Sequence, residues 1–177
     1  YYIAPQEWLW GTPRGVKKVV KTIDLIIAVF EKEYNIYKNA GGKVVYFGHP
    51  LIDIAKPSLP KEETRRRFLG EEAGPEVGGR KMIVSICPGS RTQEIKDLLP
   101  ILLKAGELIK KEHANINFLI PVASTKIIEE LFPLIGELRP HAIVGQTYDI
   151  LAASDLAICT SGTINLEASI LGVPNIM

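Results

Sequence analysis

The chain has 177 residues, 46% of them hydrophobic and 23% charged, with a formal net charge of +1. This composition belongs to a globular chain able to bury a core, and the near-neutral charge argues against the basic footprint of a nucleic-acid binder. No uninterrupted apolar run approaches the length of a membrane span, and no signal-peptide pattern is visible.

The sequence opens on Tyr1 rather than Met and stops in Asn175-Ile176-Met177, which reads as an unfinished strand, so a piece of a longer protein is expected. Cys87 and Cys159 each sit in an apolar, strand-like run. They are expected to be buried free thiols rather than a disulfide or a metal pair, which fits a reducing, cytoplasmic setting. His49, His113 and His141 are scattered without ligand spacing, so no structural metal is predicted.

In chain order, Tyr1–Ile3 reads as the end of a strand. Ala4–Pro13 is an expected loop carrying Trp8 and Trp10, and Gly15–Thr22 a short basic helix with Lys17, Lys18 and Lys21. Leu25–Val29 is a continuous apolar run of strand length. Glu31–Asn39 has helical character and stops at Gly41-Gly42. Val44–Phe47 is a further strand, closed by Gly48-His49-Pro50.

The stretch Leu51–Leu59 leads to Pro60, a good first helical position. A domain boundary is placed here, dividing residues 1–57 from 58–177. Lys61–Leu69 is a charged helix whose Arg65-Arg66-Arg67 run reads as a solvated face. Gly70–Gly79 is a polar, glycine-rich loop.

The second part repeats the alternation. A strand at Met82–Cys87 is followed by a helix over Gln93–Glu112, with Ile95, Leu98, Leu99, Leu102, Leu103, Leu108 and Ile109 at helical spacing. Asn117–Pro121 is the next strand, and a helix is expected over about Thr125–Leu131. Ala142–Val144 is a short strand and Tyr148–Ala153 a short helix. Leu156–Cys159 is a strand, Thr160–Thr163 a turn, Ile164–Leu171 a helix and Asn175–Met177 a last strand.

Strands alternating with helices at this spacing predict parallel sheets with helices on both faces, an α/β class. Near-continuous apolar strands agree, because such strands are covered on both sides. Ligands of open parallel sheets sit beyond the carboxyl ends of the strands. Two turns lie at such ends. Pro88-Gly89-Ser90-Arg91 joins a strand to a long helix; the unpaired first N–H groups and the macrodipole favour an anion there. Arg91 adds a planar donor fork suited to phosphate. The turn either grips a nucleotide diphosphate or is an ordinary strand-to-helix turn with a solvated arginine. Ser161-Gly162-Thr163 offers two hydroxyls and an unhindered backbone at another helix start; taken alone, Ser161 or Thr163 reads as a plain N-cap. Glu167, one turn on, either accepts hydrogen bonds from a ribose diol or answers the helix dipole.

Taken together, Tyr2-Ile3-Ala4-Pro5-Gln6 with Trp8 and Trp10, Gly48-His49-Pro50, Pro88-Gly89-Ser90-Arg91 with Glu94, and Ser161-Gly162-Thr163 with Leu166-Glu167 stand in the order found in lipid-A-disaccharide synthases. The chain resembles that family over essentially its whole length. The resemblance implies a GT-B glycosyltransferase built from two Rossmann-like parallel-sheet halves, the first incomplete here. It implies transfer of diacylglucosamine from UDP-2,3-diacylglucosamine to 2,3-diacylglucosamine 1-phosphate, with release of UDP. On that resemblance, residues 58–177 bind the nucleotide sugar. Ser90 and Arg91 meet the diphosphate beside Glu94; Ser161, Gly162 and Thr163 meet phosphate; Glu167 holds the ribose; and Gly145-Gln146 matches a glycine-led loop of the family. His49 either faces the cleft or is structural, and Trp8 and Trp10 lie toward the acceptor side.

The resemblance further implies a cytoplasmic enzyme peripheral at the inner-membrane surface and a homodimer; no cofactor is expected, and the absence of an acidic metal-binding cluster predicts no metal. Trp8, Trp10 and the lysines of the early helix are a candidate interfacial patch, or the lysines simply belong to a solvated helix. The family's proposed catalytic base lies upstream of Tyr1 and its dimer-building end beyond Met177, so these 177 residues alone are expected to be inactive. The competing readings are another GT-B enzyme, such as a UDP-N-acetylglucosamine 2-epimerase or a peptidoglycan glycosyltransferase, a non-catalytic nucleotide-binding module, and a doubly wound domain for some other phosphorylated ligand.

Overall fold

The computed structural model describes residues 1–70, 81–122 and 141–177. The expected loop at 71–79 and the expected helix at 125–131 lie outside the described residues. The chain folds as two compact units, Tyr1–Ile54 and Ala55–Met177.

The first unit holds a three-stranded parallel sheet, β1 (Tyr2–Ile3), β2 (Ile26–Ala28) and β3 (Val44–Tyr46), in that spatial order. Its helices are α1 (Glu7–Trp10), α2 (Pro13–Thr22), α3 (Glu31–Asn39) and α4 (Leu51–Ile54). Leu9, Val16, Val19, Ile26 and Tyr37 form its core. Two expectations are corrected here. The stretch read as loop contains α1, because Leu9 is buried and the Trp10 indole N–H donates to the Pro5 carbonyl at 3.1 Å. The basic helix starts earlier, at Pro13, since the Thr12 hydroxyl caps it by accepting from the Gly15 amide at 3.2 Å. The turn of α4 follows His49, whose Nδ1 accepts from the Leu51 amide at 3.2 Å while its ring lies 5.2 Å from that of Phe30.

The second unit carries a five-stranded parallel sheet. Its strands are β4 (Met82–Cys87), β5 (Ile116–Val122), β6 (His141–Val144), β7 (Leu156–Cys159) and β8 (Asn175–Ile176), and the helices are α5 (Lys61–Leu69), α6 (Thr92–Glu112), α7 (Thr147–Ala153) and α8 (Thr163–Ile170). The spatial order is β6-β5-β4-β7-β8. Strands β4 to β6 step outward in one direction, and the chain then returns to lay β7 on the other edge of β4. The sheet is therefore doubly wound, with its switch point between β4 and β7.

Both faces of β4 are covered, which explains its unbroken apolar run. Val84 and Ile86 pack with Ile95, Leu99 and Leu103 of α6. Ile83 packs with Leu69 of α5 and with Ile150 and Ala153 of α7. Helix α5 begins at Lys61, with Pro60 as its N-cap in extended conformation (ψ 143°) rather than inside the first turn.

The arginine run is a further correction. Arg66 and Arg67 are exposed, but Arg65 is only 1% exposed. Its guanidinium donates to the carbonyls of Ala153 (2.8 Å) and Lys81 (2.6 Å) and pairs with Asp155 at 2.9 Å. A buried guanidinium persists only when its donors are met in this way.

Candidate functional site

Pro88–Arg91 and Thr160–Thr163 follow β4 and β7, the two strands that flank the switch point. They are tied at the root: the Thr160 amide donates to the Cys87 carbonyl at 3.0 Å. The second turn is braced again by Asn165, whose side-chain amide donates to the Thr160 carbonyl at 3.0 Å. Between the turns lies a cavity of ≈ 390 Å³, within the usual size range for small-molecule sites.

Seven of the sequence-predicted residues line this cavity: Ser90, Arg91, Glu94, Ser161, Gly162, Thr163 and Glu167. Gly145 and Gln146 do not. They line a second cavity of ≈ 340 Å³ together with Lys56, Ser58, Tyr148 and Asp149, and the two cavities share Thr147 and Glu167.

Three helices open at this edge of the sheet, α6 after Arg91, α7 after Gln146 and α8 after Gly162, and none has a side-chain cap. The expectation that Ser161 or Thr163 caps α8 is therefore corrected. Gly162 occupies the cap position with φ 148° and ψ −166°, a backbone conformation that favours glycine. Thr163 is consequently the first helical residue, and both hydroxyls stay on the exposed rim of the cavity. Uncapped first-turn N–H groups carry partial positive charge and unmet donor capacity, which suits an anion.

In the first turn, Arg91 Nη1 meets Glu94 Oε1 at 2.7 Å, with 81% of the Arg91 side chain exposed. Gly89 makes room for this arrangement. It has φ +104°, and a Cβ there would lie 2.7 Å from Glu94 Oε2 and 3.2 Å from Glu94 Cβ. Any side chain at 89 would displace Glu94 and meet backbone strain as well.

Glu167 stands half-buried at the junction of the two cavities. Burial, followed by the Glu167 charge, raises the pKa of the neighbouring Tyr148 phenol. The Gln146 Oε1 atom is buried with no hydrogen-bond partner among the described residues.

Residues that the motifs did not flag also meet here. Thr147 opens α7 at a third strand end, directly after Gly145-Gln146, so the glycine-led turn was its signal. Lys56 and Ser58 had none. Ser58 is held by Asp149, 91 positions away: the Ser58 amide and hydroxyl donate to its carboxylate at 2.6 and 2.7 Å, and the Leu59 amide at 2.9 Å. Burial pushes the Asp149 carboxyl up, but these donors, with Arg67 nearby, outweigh it and hold the pKa below the usual carboxylate value.

Cys87 and Cys159 are free and buried, Cys87 forming part of the cavity wall. Among the described residues no group of three or more His, Cys, Asp or Glu side chains is placed to hold a metal ion. No described helix is long and apolar enough to cross a membrane.

The family described as lipid-A-disaccharide synthetase matches residues 1–177. A lipid-A-disaccharide synthase from Geobacter sulfurreducens is 34% identical over 100% of this chain and 44% of its own length. One from Nitrosococcus oceani is 36% identical over 98% of this chain and 43% of its own length. The chain thus spans less than half the length of these curated relatives. Two solved structures share the fold. A UDP-GlcNAc 2-epimerase from Neisseria meningitidis, bound to UDP-GlcNAc, superposes with a TM-score of 0.60 at 18% identity, over 94% of this chain and 47% of that one. The MnaA protein of S. aureus, in complex with UDP, has a TM-score of 0.61 at 17% identity, over 93% and 45%. The architecture is α/β with parallel sheets, of the GT-B type. With the family matched from the first residue to the last, this chain belongs to the lipid-A-disaccharide synthetase family.

Proposed function

We propose that this chain carries the nucleotide-sugar site of a glycosyltransferase that joins UDP-2,3-diacylglucosamine to 2,3-diacylglucosamine 1-phosphate and releases UDP. Residues 58–177 serve the nucleotide sugar and residues 1–57 the acceptor side. The observation that carries the reading is the convergence of two uncapped helix starts, α6 and α8, on one cavity at the switch point between β4 and β7. The family match and the UDP-containing neighbours of the same fold support it.

In this reading Ser90, Arg91 and the first N–H groups of α6 receive one side of the diphosphate. Ser161, Gly162, Thr163 and the start of α8 receive the other. Glu167 accepts from the ribose hydroxyls, and Gly145 and Gln146 border the nucleoside end. Negative charge grows on the diphosphate as the glycosidic bond breaks. Preorganised amides, hydroxyls and one guanidinium stabilise that charge without reorganising during the reaction. The acceptor hydroxyl also loses its proton in this step, which calls for a general base. Because both substrates are acylated, the enzyme works at the cytoplasmic face of a membrane.

Calorimetric titration of UDP tests the assignment. The wild-type chain should bind UDP. Glu167→Gln should weaken binding by roughly 1.5–3 kcal/mol, the range for hydrogen bonds to charged groups, with unchanged thermal unfolding. Equal affinity in the variant would remove Glu167 from the ribose, and a wild-type chain that takes up no UDP would end the nucleotide reading.

A further inference from the structure

Cys87 and Cys159 end two neighbouring strands, and they are direct register partners. Each is 3% exposed, and they share one apolar cluster with Leu151, Ala157 and Ala168. Each also leads straight into one of the two cavity turns, Cys87 into Pro88 and Cys159 into Thr160. In-register residues of adjacent strands lie about 4.7–4.9 Å apart, inside the span of roughly 4.4–6.8 Å that disulfides bridge between Cα atoms. Both thiols are free and buried. A bridge most often sets the two Cα atoms about 5.5–6 Å apart, wider than the strand spacing of about 4.7–4.9 Å, and would shift the roots of both turns.

We propose that Cys87 and Cys159 form an oxidisable dithiol site beneath the cavity, converted by a peroxide into an intramolecular disulfide that shifts the roots of both turns and weakens nucleotide binding. The effect on binding rests on the UDP reading above; the formation of the bridge does not. Cys87 lies in the cavity wall, so a small oxidant entering the cavity reaches the pair. One thiolate attacks a peroxide oxygen: an S–O bond forms, the O–O bond breaks, and hydroxide leaves as water with the proton released by that thiol. The second sulfur then displaces hydroxide from the sulfenic sulfur: the S–S bond forms, the S–O bond breaks, and the second thiol's proton leaves in water. Two thiols lose two electrons and one peroxide becomes two waters. The contact between the sulfurs, reinforced by burial, raises the Cys87 pKa well above the ordinary thiol value. The same contact, opposed by burial, lowers that of Cys159.

The test treats the reduced 177-residue chain with hydrogen peroxide and reads intact mass, the non-reduced tryptic map and UDP affinity. The expected result is a mass lower by the two thiol hydrogens, a peptide linking Cys87 to Cys159, and UDP binding weakened by about tenfold or more. Dithiothreitol should reverse all three, and Cys159→Ser should give no linked peptide. Oxygen adducts without the link, or two thiols still free, overturn the dithiol site. A fully linked chain that binds UDP as tightly as the reduced one overturns the effect on binding. Failure of the reduced chain to bind UDP sinks the nucleotide reading and that effect with it, while the mass map still decides the bridge.

Discussion

Arg91 and Glu94 close a 2.7 Å ion pair across the first turn of α6, on the wall of the cavity at the switch point. With most of the arginine in water, the pair adds little to stability. Its effect is to hold the guanidinium over the turn that Gly89 keeps open. Arg91→Ala should leave unfolding within about 0.5 kcal/mol of wild type while weakening UDP binding by about tenfold or more. Matching UDP isotherms for the two proteins would take Arg91 out of the site.

Arg65 behaves in the opposite way. Its guanidinium joins α5 to the start of β4 and to the end of α7, and Asp155 in turn accepts from the Ile83 amide at 2.9 Å. Arg65→Met would leave Asp155 and two carbonyls without these donors. The expected cost is about 3–5 kcal/mol in urea unfolding. A loss under roughly 1 kcal/mol, the range of exposed pairs, would contradict the buried anchor.

Asp149 ties residues 58 and 59 to α7. Its folded pKa lies below the ordinary carboxylate value, so its contribution is complete above the unfolded pKa of about 3.9. That contribution disappears as pH falls through the lower folded value. Asp149→Asn should cost about 1–3 kcal/mol at neutral pH. The gap between wild type and variant should hold constant down to about pH 5 and shrink below about pH 4. A gap that persists unchanged through acid unfolding would show that the ionised carboxylate is not the stabilising species.

The two tryptophans separate in the structure. Trp10 is half-buried against the first unit's core, whereas Trp8 is 67% exposed. Lys17, Lys18 and Lys21 are exposed on α2. If this surface meets a membrane, Trp8→Ala should weaken sedimentation with anionic phospholipid vesicles by roughly 1.5 kcal/mol, about tenfold, without loss of stability. Identical sedimentation would leave the lysines as an ordinary solvated face.

Much of the architecture was legible in local pattern. The runs at Leu25–Val29, Met82–Cys87 and Leu156–Cys159 each contain a parallel strand, and the 3.6-residue spacing after Gln93 marks α6. Short elements escaped. α1 has four residues, too few to display a period, and owes its shape to the burial of Leu9. Arg65 was misread because charge runs are usually solvated; its partners lie at Lys81, Ala153 and Asp155, none of them near in sequence.

The sequence by itself determined the longer elements and the chemistry of the turns, because period, β-branching and glycine act over a few residues. It placed Ser90, Arg91, Ser161, Gly162, Thr163 and Glu167 at strand ends, without saying which ends meet. Only the tertiary structure decided that β7 returns to lie beside β4, since strand order is set by crossover connections and packing across the sheet. That return brings two turns, far apart in the chain, to one cavity. It also sets Cys87 against Cys159 and Ser58 against Asp149.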